Sequence, residues 1–98
     1  MNYKEAFEKM KKKLSEWYLE DVKIRDYSQA LPSEAQEADV KCSVFDSVRI
    51  YLSELSKDEK GFKELKECAE TQDTVCHAYW AAWLKIKHEL SKLEEAAK

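Results

Sequence analysis

A chain of 98 residues is one domain's worth, and folding one this size buries roughly 60–70% of the surface exposed when unfolded. It holds one Gly and one Pro, where average usage would supply about seven and about five; a β-rich fold with many tight turns is therefore excluded. The net charge of −3 is spread without a basic face, against nucleic-acid binding, and no apolar run approaches the ~20 residues that span a bilayer. The three cysteines are an odd number with no CxxC pair, so a disulfide framework is not expected. They read as reduced core residues of a soluble, cytoplasmic protein.

The first predicted helix covers about residues 3–29. Asn2 is a good N-cap and Glu5 stands at N3, as in a capping box. Tyr3, Phe7, Met10, Leu14 and Trp17 then follow at steps of four and three, a heptad stripe. The phase continues through Asp21 to Ile24, and Tyr18 and Val22 widen the face. Pro32 pushes the residue before it out of the helical region.

The second helix is expected over 34–55, opened by the capping box Ser33-Glu-Ala-Gln36. Ala38, Cys42, Phe45 and Leu52 form one stripe, interrupted by Arg49; Val40, Val44, Val48, Tyr51 and Leu55 form another. Together they make a face broad enough for two neighbours. Asp21 interrupts the first helix as Arg49 interrupts the second, and a salt bridge between the two is expected. Beyond Leu55, either Ser56 caps the next helix or Gly61 closes this one.

The third helix is expected over 58–96. Phe62, Leu65, Ala69, Gln72, Cys76, Tyr79, Trp83, Ile86, Leu90, Leu93 and Ala97 alternate at three and four without a slip. Thr71-Gln-Asp-Thr74 resembles a helix start, but the unbroken phase favours one helix about 52 Å long. Residues 75–86 read VCHAYWAAWLKI, with only His77 and Lys85 strongly polar. A helix apolar nearly all round is normally enclosed. The segment is expected in a homodimer interface containing Cys76, Tyr79, Trp80, Trp83 and Leu84; the alternative is that the other two helices cover it.

Catalytic and metal chemistry find little support. Cys68 and Cys76 are eight apart, and His77 and His88 eleven, unlike the short ligand pairs of structural zinc. Neither His follows a Glu by three residues, as bundle metal sites require. Cys76 beside His77 is sequence adjacency only, and one glycine cannot build a phosphate loop. No enzyme activity, metal or cofactor is expected.

The expected fold is thus all-α, a single domain of three long amphipathic helices completed by oligomerisation. The expected function is a non-enzymatic protein-interaction module, such as a small inhibitor, adaptor or immunity-type accessory protein of the kind phages and mobile elements carry. Its partner would be another protein, with neither nucleic acid nor membrane involved. Arg49, Tyr51, Trp80, Tyr18 and Arg25 are the candidate contact residues, because Trp, Tyr and Arg dominate binding hot spots. The alternative is an oligomeric helical binder of a small ligand such as a nucleotide.

Overall fold

The computed structural model describes residues 1–72 and 76–97. Among them are four helices, α1 (Tyr3–Arg25), α2 (Pro32–Glu54), α3 (Glu59–Glu70) and α4 (His77–Ala97). The single helix expected over 58–96 is therefore two. Its expected length also exceeds the molecule's longest extent, 44 Å.

Asn2 caps α1 as expected, its side-chain oxygen accepting from the Glu5 amide at 2.9 Å. The helix stops at Arg25 rather than 29, where the Asp26 amide donates back to the Val22 carbonyl and Ala30 closes a turn onto Tyr27. On α2 the Ser33 capping box is not used. Pro32 occupies the first turn with Leu31 as an N-cap that makes no side-chain bond, because proline's fixed φ and missing N–H already suit that position.

Neither sequence option describes the corner into α3. Asp58 is its N-cap, accepting from the Gly61 amide at 3.0 Å and the Ser56 hydroxyl at 2.8 Å. These hydrogen bonds hold its carboxyl below the usual value. Lys57 donates to the Leu52 and Leu55 carbonyls at the end of α2, the Leu52 carbonyl accepting from the Leu55 amide as well, and lies 4.8 Å over the Phe7 ring.

Side chains also finish α3. The Thr71 hydroxyl and Gln72 amide donate to the Cys68 carbonyl at 3.1 and 2.9 Å, competing with continuation of the helix. The Tyr79 hydroxyl then donates to Gln72 at 2.7 Å, tying α4 to this end.

α1 and α2 form an antiparallel hairpin. Trp17 meets Phe45 at 5.5 Å, the Cys42 thiol donates to the Tyr18 carbonyl at 3.7 Å, and Arg25 reaches Asp39 at 3.5 Å. α4 lies across the hairpin, with Lys85 over the Trp17 ring. It runs parallel to α2, Val40 facing Ala78 at one end and Phe45 facing Ala82 further along. The short α3 covers the N-terminal half of α1, Phe62 packing on Tyr3 and Phe7, and Lys66 pairs with Glu94 at 2.9 Å. The expected stripes form the core: Phe7, Met10, Leu14, Phe45, Leu52, Phe62, Leu65, Ile86 and Leu90 are all buried.

The expected bridge between Asp21 and Arg49 is absent. Arg49 pairs with Asp46 one turn earlier on its own helix, at 2.6 Å, and the cations acting on Asp21 are Lys41 and Lys85. Arg49 is exposed, so it projects from α2 beside the core face rather than into it.

Gly61 gives a direct test of the α2–α3 corner. A Cβ at this position would lie 1.8 Å from the Ser56 carbonyl oxygen. Gly61→Ala should therefore destabilise the protein by about 1–3 kcal/mol through overpacking, outweighing the ~1 kcal/mol of helix propensity that alanine brings. Urea denaturation checks this, and a raised midpoint would contradict the corner geometry.

Candidate functional site

The helices meet unevenly at the two ends of the bundle. At the end where α1 stops and α2 and α4 begin, large apolar side chains remain in water: Tyr27 is 58% exposed, Leu31 61%, and Ile24 and Trp80 44% each. Trp80 is exposed because it projects from the side of α4 opposite Ala82 and Ile86, which reach the core. The His77 ring lies 5.8 Å from it, one turn earlier. Beside them a groove of about 230 Å³ separates the starts of α2 and α4, lined by Ser33, Gln36, Glu37, Val40, Cys76, His77 and Ala78.

This end is also acidic. Residues 20–40 hold six acidic side chains (Glu20, Asp21, Asp26, Glu34, Glu37, Asp39) against Lys23 and Arg25, a net −4 of the chain's −3. The remaining residues therefore sum to +1. The exposed aromatic surface and the negative potential occupy the same end.

The five residues expected at an oligomer interface separate. Trp80 is on the surface, and Leu84 is half-buried along the α2–α4 seam. Cys76 precedes α4 and is exposed, contrary to the reading of all three cysteines as core residues; the stripe that placed it inside is broken there. Trp83 is buried in the core of this single chain, in edge contact with the half-buried Tyr79 at 6.2 Å. Its indole N–H has no partner among the described residues, a cost of about 1–3 kcal/mol that burial of the ring offsets. Val75, the first residue of the apolar run 75–86, lies outside the described residues.

The proposed contact cluster is only partly assembled. Arg49 lies 6.0 Å from the Tyr18 ring. Arg25 is turned to Asp26 at 3.1 Å, which raises its pKa, and to Asp39. Tyr51 is half-buried against the core, its phenol pKa raised by burial. Trp80 stands on α4 beside His77. Neither groove of the α2–α4 seam is lined by any of these five residues.

A second polar grouping is only half visible in the sequence. Asp21 stands on the α1 stripe, whereas Lys41 flanks the α2 stripe beside Cys42. Asp21 is buried and Lys41 half-buried. Lys85 completes the group from α4.

Among the described residues, no three His, Cys, Asp or Glu side chains are placed to hold a metal, and no helix is long and apolar enough to cross a membrane.

Two outcomes test this placement. Cys42 is buried and burial raises its thiol pKa, whereas Cys76 is exposed. Cys76→Ser should leave the melting temperature unchanged, and Cys42→Ser should cost about 1–3 kcal/mol. Cys76 should react with Ellman's reagent before Cys42, which thermal melts and thiol titration together establish.

The second outcome concerns pH. Burial raises the Asp21 carboxyl above its ordinary 3.8, against the opposing pull of Lys41 and Lys85. The folded state then holds that proton more tightly than the unfolded chain. The Asp21 contribution is most favourable below pH 3.8 and is lost as pH rises through the raised value. Asp21→Asn should therefore raise the denaturation midpoint at pH 7, with the gain shrinking as pH falls toward 3.8. A destabilised variant at pH 7 would mean that the lysines outweigh burial.

Comparison of the chain with protein-family models, with curated proteins and with solved structures finds no match.

Proposed function

We propose that this protein is a non-enzymatic interaction module that presents the acidic, aromatic end of its bundle to another protein, as an inhibitor, adaptor or immunity-type accessory protein does. The observation that carries the reading is Trp80. A tryptophan 44% exposed, on a helix whose neighbouring Ala78, Ala82 and Trp83 are buried, is apolar surface the chain itself does not cover. Tyr27, Leu31 and the groove between α2 and α4 extend it at the same end. Tryptophan is the side chain most enriched among residues that dominate binding energy.

Charge selects the kind of partner. A surface carrying Glu34, Glu37 and Asp39 around apolar residues favours a basic amphipathic segment, whose apolar side chains enter the groove while Lys or Arg side chains meet the rim. Such complementarity speeds association and suppresses wrong partners. It also opposes the homodimer expected from residues 75–86, since a two-fold contact would set one −4 end against another.

Trp80→Ala should change folding stability by no more than about 0.5 kcal/mol, as surface substitutions do, yet weaken partner binding by about 2 kcal/mol or more. Trp83→Ala should instead cost about 3–5 kcal/mol of folding. A photo-cross-linking residue in place of the exposed Leu31, with Trp80 intact and expressed in the cells of origin, should capture a partner that the same group in place of Lys60 does not. Equal capture from both ends, or none from position 31, would reject this surface, and capture of a second copy of this chain would replace the partner with a homodimer.

A further inference from the structure

We infer a second binding site, independent of that surface: a small-anion site in the α2–α4 seam that takes inorganic phosphate or a phosphate monoester. Lys41 from α2 and Lys85 and His88 from α4 line a groove of about 250 Å³ there, with Phe45, Ala82 and Leu84 as its apolar lining. The volume is below the ~300 Å³ at which pockets for drug-sized ligands begin, so it suits a small anion.

The convergence of these three side chains from two helices carries the argument. Lys41 is half-buried on the flank of the α2 stripe, beside Cys42. Among the described residues it makes no hydrogen bond and no ion pair within 4.0 Å. Asp21 is a carboxylate that acts on it, but it acts on Lys85 as well and is within 4.0 Å of neither. The groove's own lining holds both lysines and no acid, so its walls are basic. The Lys85 ammonium, 5.2 Å over Trp17, is held by an aromatic face rather than neutralised by an acid. His88 adds an imidazole able to donate a hydrogen bond. A phosphate oxygen at this point would meet donors from two helices at once, the arrangement in which lysine binds phosphate as a point charge.

The experiment is an NMR titration of the whole protein with inorganic phosphate, read on the Lys41, Lys85 and His88 side chains against sodium chloride at equal ionic strength. A parallel arm uses adenosine 5′-monophosphate. Saturable shifts confined to these residues are expected, lost at least about tenfold in affinity in Lys41→Gln and in Lys85→Gln, but retained in Lys63→Gln. Tighter binding of phosphate would assign the site to the free anion, and tighter binding of the nucleotide to a monoester read through Phe45 and Leu84. Shifts no larger than those from chloride, or wild-type affinity in the charge variants, would overturn the site. Lys85→Gln, changed at an exposed position, carries the test if Lys41→Gln does not fold. Because Trp80 is not part of this groove, Trp80→Ala should leave phosphate binding unchanged, separating failure of one surface from failure of the other.

Discussion

The α1 stripe is the constraint on which the rest of the structure depends. Phe7, Met10, Leu14 and Trp17 stand on one line along a 23-residue helix, about 34 Å at 1.5 Å per residue, and that line must be removed from water along its length. One antiparallel partner covers a single flank. α2 does this, and its two adjacent stripes leave it a second apolar edge. The other flank is closed in two pieces, Phe62 from α3 over Phe7 and the α4 segment near Lys85 over Trp17. A straight helix from 58 to 96 could close one piece, but its other half would run past the hairpin into solvent. Breaking the chain after Glu70 lets both halves return to the same core.

Much of this was legible. A stripe at steps of three and four states which side chains go inside, and it placed most of the core of α1, α2 and both halves of the last segment, but it failed at Ile24, which is 44% exposed at the end of α1, and at Cys76, which is exposed. The break was not legible, for a physical reason. Two helices packed on one core must each present their own apolar line, and here the connecting residues bring the second line in at a step the first would have used. Ala69 and Tyr79 are both in the packed interior, while Gln72 and Cys76 between them fill heptad positions without being helical. The local chemistry held part of the signal: Thr71 is a residue whose side chain competes for backbone carbonyls, whereas Gln72 is by itself a good helix former. Periodicity outweighed it only because periodicity cannot tell one helix from two in phase.

The polar interruptions were legible as anomalies but not as contacts. Asp21 and Arg49 each break an apolar stripe, which invited pairing them. A stripe fixes angular position on a helix but not which neighbour stands opposite. In the structure α4 approaches Asp21 and supplies Lys85, and Lys41 on α2 lies closer to the interior than Arg49 does. Arg49, left at the margin, takes the nearest acid on its own helix. Exposed pairs of that kind add little stability, so the pairing of Arg49 with Asp46 explains where the side chain lies rather than why the fold holds. The Asp21 group is different in kind, since removing a carboxylate and an ammonium from water opposes folding unless their attraction repays it.

Both proposed surfaces follow from α2 and α4 lying parallel. Antiparallel neighbours joined by a tight turn have their ends closed by that turn. Parallel neighbours begin at the same end with no turn between them, and their first turns stand apart as a groove. Further along, the same two helices approach through Ala81 and Ala82, side chains too short to fill the seam, so longer ones from either side, Lys41, Lys85 and His88, line the space that remains. One topological choice therefore yields an acidic, aromatic opening at the helix starts and a basic recess deeper in the seam. The two are complementary to different chemistries. A basic segment seated on the opening is repelled by the recess, whereas an anion in the recess is held away from the acidic rim.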